Sequence, residues 1–216
     1  REGPDLVAEI ALEQGMIIHT IRPDQGEPLP DPISTKNTIA LLLGGPMSVG
    51  ERHQDALAWM QRELDWLTVW HQQNNPVLGI CLGAQLLAVA AGGTVQPLQV
   101  GLPPQPLKEV GYGSIHWLTK PSSEPLLKGL QPSEMVLHWH SDRIQLPPTA
   151  TLLGSSLHCQ EQVFRIGWNA IGLQCHMELT TRNLKQWIRE DHNYIVSAMG
   201  PDGPKRLQQD SERFGN

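Results

Sequence analysis

Hydrophobic residues near the start of the chain recur at three- and four-residue steps. Val7, Ile10 and Ala11 follow this spacing up to Gly15, which predicts an amphipathic helix that ends at the glycine. The next run, MIIHTIRP (16–23), is rich in apolar and β-branched residues and predicts a strand. The pattern opens on a helix, so we expect the first strand of an alternating architecture to be missing from the front.

Two apolar runs in the middle of the chain are nearly continuous. TIALLLGG (38–45) and PVLGI (76–80) have the composition of strands buried on both faces of a parallel sheet. Residues 53–74 form a long amphipathic pattern, and residues 82–93 predict a second helix that a Gly-Gly pair closes. Strands and helices alternate, which predicts an α/β fold with a mostly parallel central sheet flanked by helices.

The pattern changes between residues 94 and 173. Short strand-like segments are separated there by proline and glycine turns, which predicts a small antiparallel extension of the sheet. Residues 180–199 predict a terminal helix, and we expect the polar tail at 201–216 to be peripheral. Neither a repeat nor a linker divides the sequence, so residues 1–216 are predicted to form a single domain.

Composition and charge exclude several classes of partner. The chain has 216 residues, of which 39% are hydrophobic, and its net charge is −6. Its basic residues are scattered, so we expect neither nucleic acid nor a membrane as a partner. The cysteines at 81, 159 and 175 are widely spaced and form no CxxC pair, which indicates free thiols in a reducing compartment. The cytoplasm is the expected location.

One cysteine lies at the junction of a predicted strand and a predicted helix. In GICLG, Cys81 is flanked by Gly79 and Gly83, and this spacing is typical of a nucleophile on a sharp strand-to-helix turn. The helix N terminus favours a thiolate and lowers its pKa. The unpaired N–H of Leu82 can stabilise an oxyanion. A buried structural cysteine is the alternative that this pentapeptide leaves open.

A base and a second oxyanion donor are predicted elsewhere. His176 and Glu178 are two residues apart on a predicted strand, so their side chains face the same way. His176 could take the thiol proton while Glu178 orients the ring. Gly44 and Gly45 follow a buried strand, where a backbone N–H can approach a ligand closely. Taken alone, these features are also compatible with a solvated strand pair and a plain turn.

Five segments occur together in a characteristic order. They are LLLGGPMSV, PVLGICLGAQLLA, EVGYGSIHW, LHWHSDRIQLP and GLQCHMEL, between residues 41 and 179. Together they resemble the class I (triad) glutamine amidotransferases, most closely the stand-alone proteins similar to the amidotransferase domain of GMP synthase. The resemblance implies a flavodoxin-like sheet and hydrolysis of the γ-carboxamide of glutamine, or of another γ-glutamyl small molecule, without a cofactor.

The resemblance also assigns roles to individual residues. It implies that Cys81 is the nucleophile, that His176 is the base and acid, and that Glu178 is its partner. The remaining implied roles are an oxyanion hole and a substrate pocket, formed respectively by Gly45 with Leu82 and by Gln85 with Ser141. The chain departs from the common family pattern around the histidine, where Cys175 and Met177 replace phenylalanine and proline.

Several alternatives bear on function. The histidines of HWH (138–140) share one strand face, but zinc needs three or four convergent ligands and no cysteine lies at ligand spacing. No metal is therefore predicted. Trp59, Trp66 and Trp70 fall at helical intervals and predict a core stripe rather than a ligand platform.

Three functions stay open at this point. Ammonia has no acceptor on this chain, so either a separate synthetase subunit receives it or the enzyme is a γ-glutamyl peptide hydrolase. The third function, from another class, is a non-catalytic binding or regulatory subunit that retains the fold. The presence of all three triad residues argues against this last reading.

Overall fold

The computed structural model describes residues 2–215. Six α-helices occur within this range: α1 Asp5–Glu13, α2 Ala58–Gln72, α3 Leu82–Ala90, α4 Thr181–Glu190, α5 His192–Met199 and α6 Gly203–Phe214. The strands are β1 Ala40–Leu42, β2 Val77–Ile80, β3 Thr94–Pro97, β4 Gln99–Val100, β5 Gln105–Pro106, β6 Glu109–Trp117, β7 Ser133–His140, β8 Asp142–Gln145, β9 Ala150–Ser155, β10 Val163–Ile166 and β11 Ala170–Leu173.

Seven strands form one curled, mixed sheet in the order β1-β2-β11-β10-β9-β6-β7. The pairs β1–β2 and β2–β11 are parallel, whereas the remaining neighbours are antiparallel. Two small antiparallel sheets, β3–β8 and β4–β5, lie outside it. The α/β, flavodoxin-like architecture is confirmed. The antiparallel strands continue the same sheet because short connections let consecutive strands pair as hairpins.

Helices α2 and α3 cover the parallel half of the sheet. Helix α2 buries Met60, Leu64, Leu67 and Trp70 at helical spacing, and α3 is buried along most of its length. Trp66 stacks on Trp70 with ring centroids 4.9 Å apart. Both rings belong to the core that joins α2 to α3 and β1, so the prediction of a core stripe is confirmed.

The prediction of a strand at 16–23 is wrong. No part of this segment forms a strand, and Ile17 is 82% exposed. A strand needs a neighbour for its backbone hydrogen bonds, and β1, the nearest sheet edge in sequence, pairs only with β2 among the described strands. A β-like composition therefore did not produce a strand here, because composition cannot supply the missing neighbour.

The C-terminal region is also more ordered than expected. The predicted terminal helix is divided at Asp191 into α4 and α5. The tail expected to be peripheral instead forms α6, whose Leu207 is fully buried against β7 and the other two helices. This cluster places α5 beside the end of β7, where Ser141 follows. No helix within residues 2–215 combines the length and apolarity that crossing a membrane requires.

Candidate active site

A strained turn holds Cys81 between β2 and α3. Cys81 has φ 53° and ψ −108°, and its backbone N–H donates to the carbonyl of Leu173 at 2.7 Å. A Cβ on Gly79 would lie 2.5 Å from the Gly83 carbonyl oxygen, and one on Gly83 would lie 2.2 Å from the Leu42 oxygen. Only glycine fits at both positions. The sharp turn predicted from GICLG is therefore present.

Gly83→Ala is expected to lower the free energy of unfolding by about 3 kcal/mol, since the added methyl must push backbone apart in a packed core. The same displacement moves Cys81 and lowers activity. Urea unfolding monitored by tryptophan fluorescence measures the stability change. Gly50→Ala is the matched control, because its Cβ would meet only the Ser48 hydroxyl at 3.4 Å. Equal unfolding midpoints for the two variants would contradict the packing argument.

His176 and Glu178 form a buried pair. The Nδ1–H of His176 donates to Oε1 of Glu178 at 2.7 Å, and the two side chains are 1% and 5% exposed. Backbone hydrogen bonds between His176 and Leu137 fix the ring's position beside β7. Within residues 2–215, Nε2 of His176 has no competing hydrogen-bond acceptor or donor. The free ring nitrogen is therefore available to the Cys81 thiol, with which the ring interacts.

Electrostatics favour a charged His176. Burial alone would lower the pKa of His176, but the charge of Glu178 and the Cys81 thiol raise it well above its ordinary value. Burial acts in the opposite direction on Glu178, whose pKa is nevertheless lowered by the charge and hydrogen bond of His176. The pair is thus held as imidazolium and carboxylate, which suits a histidine that accepts a proton from a thiol.

The expectation of a lowered thiol pKa is wrong for this conformation. Burial raises the pKa of Cys81, and the interactions with His176 and with the N–H of Leu82 only partly offset it. The residue is 6% exposed. The positive end of a helix cannot by itself compensate for the loss of water around a thiolate. Ionisation of Cys81 therefore depends on proton transfer to His176.

The segment after β1 lies beside the start of α3. The Cβ position of Gly45 is 3.2 Å from Cδ2 of Leu82, so the two residues predicted to form an oxyanion hole are neighbours. The carboxylate of Glu2 fills the space beside Gly44 and contributes to the raised pKa of Cys81. A negative group at this place shows that an anion can approach the thiol from the Gly44 side.

The two predicted substrate-binding residues lie on different elements. Gln85 is one turn beyond Cys81 on α3, where its Nε2 donates to Oε1 of Gln174 at 3.2 Å. Its own Oε1 is buried without a hydrogen-bond partner in the described chain. Ser141, between β7 and β8, hydrogen-bonds the hydroxyl of Tyr194, and burial raises the pKa of that phenol to about 12.

Three aromatic residues of the site were not predicted. The carbonyl oxygen of Trp139 is 4.0 Å from the Cys81 sulfur. The indole of Trp187 lies edge-on to the His176 ring at 5.0 Å, and Tyr194 stacks on Trp139 at 6.3 Å. Trp187 and Tyr194 belong to the helices after Glu178, and their helical spacing signals only an apolar face. These rings exclude water from the imidazole.

One group within the described chain has the residue types and spacing to hold a metal ion. It consists of Glu109, His140 and Cys159. None of the three belongs to the triad, and they lie on the face of β7 opposite to Trp139, because side chains alternate along a strand.

Comparison with known proteins gives a consistent picture. A family model described as "Glutamine amidotransferase class-I" matches residues 13–194. The glutamine amidotransferase-like protein YfeJ of Salmonella typhimurium is 29% identical over 191 residues, which are 88% of this chain and 77% of that protein. A GMP synthase of Cytophaga hutchinsonii is 30% identical over 163 residues, 74% of this chain, and the chain spans only 28% of its length.

A solved structure agrees with these relatives. A glutamine amidotransferase from Thermotoga maritima superposes with a TM-score of 0.81 at 25% sequence identity. The superposition covers 98% of this chain and 86% of the other. Fold and sequence therefore point to the same set of proteins.

Proposed function

Because the chain belongs to the class I glutamine amidotransferase family, we propose that it hydrolyses the γ-amide of glutamine through a thioester on Cys81. The observation that carries the proposal is the pairing of His176 with Glu178 at 2.7 Å, with Nε2 left free for the thiol. A buried imidazole with one nitrogen occupied by a carboxylate is the arrangement of a general base next to a nucleophile.

The first half of the reaction forms the thioester. Nε2 of His176 accepts the Cys81 proton, and the thiolate attacks the amide carbon of the substrate. The N–H groups of Gly45 and Leu82 stabilise the resulting oxyanion; losing one such donor costs on the order of 10²–10³ in rate. The imidazolium then donates its proton to the leaving nitrogen, and ammonia departs as the carbonyl re-forms.

The second half regenerates the enzyme. A water molecule gives its proton to Nε2 of His176 and attacks the thioester carbonyl. The second oxyanion collapses, glutamate leaves, and the proton returns from His176 to the Cys81 sulfur. One water is consumed and one ammonia is released per turnover. The alternating roles of the ring depend on the raised pKa that Glu178 maintains.

A product assay tests the reaction and identifies the acyl donor. The purified protein is incubated with glutamine and, separately, with a panel of γ-glutamyl peptides, and products are identified by mass. Glutamate with ammonia supports the proposal, whereas glutamate with a released amino acid or dipeptide supports a γ-glutamyl peptide hydrolase. No turnover of either class, with no labelling of Cys81 by a glutamine-like diazo-ketone, would instead support a non-catalytic subunit.

We also propose an ammonia-accepting synthetase on a separate chain as the partner. The support is the relation to GMP synthase, of which this chain spans 28%. A synthetase partner is expected to raise the glutaminase rate when it is added at equal concentration. An unchanged rate with every ammonia-consuming synthetase tested would contradict this partner while leaving hydrolysis intact.

Gln85→Met is expected to raise KM for glutamine about tenfold, because one hydrogen bond to the substrate, worth about 1.4 kcal/mol, is lost. The unpartnered Oε1 of Gln85 is the acceptor for that bond. Since the residue does not touch the leaving group, kcat should change much less than KM. Steady-state kinetics measure both constants, and Gln72→Met, on the exposed last turn of α2, is the matched control. A change in kcat alone would contradict a binding role.

A further inference from the structure

A buried polar cluster lies behind the active-site strand, away from the triad. It consists of Glu109 at the start of β6, His138 and His140 on β7, Cys159 after β9, and Gln162 before β10. Each of these residues is at most 9% exposed. We call this group the β7 cluster. The proposed reaction uses none of its side chains.

The ring of His140 is oriented by the backbone. Its Nδ1 lies 2.8 Å from the carbonyl oxygen of Asp142, and a carbonyl only accepts hydrogen bonds, so Nδ1 carries a proton. In the neutral ring the lone pair is then on Nε2, which lies 3.0 Å from Oε2 of Glu109. Two acceptors that face each other this closely require a cation between them. A histidine that donates one N–H to a backbone carbonyl is typical of a metal ligand.

Other atoms of the β7 cluster lack partners. Both ring nitrogens of His138 and Oε1 of Gln162 are buried without a hydrogen bond within residues 2–215. Nδ1 of His138 is 3.8 Å from Oε2 of Glu109. Buried polar groups are rarely left unpaired, and an ion absent from the coordinates is one of the few physical reasons. This observation is independent of the His140 geometry and concerns the same carboxylate.

We propose that the β7 cluster binds one Zn²⁺ through Glu109, His140 and Cys159, with His138 as the fourth ligand. The ligand atoms of the first three lie within 4.8 Å of one another, and His138 reaches the ion by a small movement of its ring. A thiolate, imidazoles and one carboxylate are the donor set that zinc accepts in tetrahedral coordination. On binding, the Cys159 thiol releases its proton to solvent.

Four protein ligands leave no open position, so the site is structural rather than catalytic. The ion joins β6, β7 and the segment after β9. Because His138 and His140 flank Trp139, it rigidifies the strand whose other face carries the carbonyl near Cys81. Cys159 reaches these histidines only through folding, which explains why spacing along the sequence predicted no metal.

Cobalt titration tests the proposal in a Cys81→Ala background, which removes the catalytic thiol as a competing ligand. We expect one equivalent of Co²⁺ per chain, with a thiolate-to-metal charge-transfer band that one equivalent of Zn²⁺ abolishes. Adding Cys159→Ser is expected to eliminate the band and weaken zinc binding at least about tenfold. Cys175→Ser is the matched control, since Cys175 is equally buried but lies in the apolar core, and it should retain the band.

Three outcomes would overturn the site. They are no stoichiometric metal in the Cys81→Ala protein, a band that persists in Cys159→Ser, and a band that disappears in Cys175→Ser. Ring-nitrogen NMR of the metal-free protein adds a fourth, since a His140 that keeps both nitrogens protonated when zinc is added is an ion pair of Glu109 and not a ligand. Because the Cys81→Ala protein is inactive, these outcomes are independent of the proposed hydrolysis.

Discussion

Cys81→Ala is expected to reduce kcat for glutamine hydrolysis by about 10⁶-fold, the scale on which removal of a nucleophile acts in a coupled catalytic group. The reason is that no other thiol can reach the substrate. Cys159 and Cys175 are both fully buried, and burial raises the pKa of Cys159 to about 12 and that of Cys175 still further. Product formation measured by mass over long incubation gives the residual rate.

Covalent labelling provides the control for this prediction. A glutamine-like diazo-ketone should modify wild-type protein at Cys81 alone, and Cys175→Ala protein at the same residue. Circular dichroism establishes that the alanine variant at 81 is folded. Stoichiometric labelling of Cys159 or Cys175 would refute the assignment of the nucleophile, whatever the rate of the alanine variant.

Glu178→Gln is expected to lower kcat by about 10³–10⁴-fold and to leave measurable turnover above that of Cys81→Ala. The amide keeps the size of the side chain but cannot hold the His176 ring in the required tautomer as a carboxylate does. The nucleophile and the oxyanion donors remain in place, so some catalysis persists. Steady-state rates of the two variants, measured side by side, decide between an orienting role and a direct chemical role.

The pH dependence gives a second measure of the same substitution. The carboxylate of Glu178 raises the pKa of His176, so replacing it with a neutral amide lowers that pKa. The limb of the pH–rate profile that reports His176 is therefore expected to move to lower pH by roughly 1–2 units. Glu212→Gln, on the exposed face of α6, is the control. An unshifted limb, or complete loss of activity equal to that of Cys81→Ala, would contradict an orienting role.

The local parts of the site could be predicted because short-range geometry determines them. The turn at Cys81 needs glycine two residues before and two after, and the structure has both glycines in contact with backbone. His176 and Glu178 share a side of the chain by alternation, and they form a hydrogen bond at 2.7 Å. In each case the residues that interact are within a few positions of one another.

The wrong predictions have one physical origin, which is dependence on distant neighbours. The strand expected at 16–23 lacks a partner, and the tail expected to be peripheral buries Leu207 against β7. The thiol pKa expected to fall is raised by burial, which depends on every element packed around α3. Pattern along the chain carries little information about any of these surroundings.

The sequence by itself determined the alternation of strand and helix, the turn that presents Cys81 and the pairing of His176 with Glu178. Only the tertiary structure decided what surrounds them: the Trp187 ring against the imidazole, the Tyr194 hydroxyl on Ser141 and the meeting of Cys159 with His140. Backbone sterics and side-chain alternation act over a few residues and can be read from neighbours in sequence. Burial, desolvation and ligand convergence arise from packing between remote segments, so they exist only once the chain has folded.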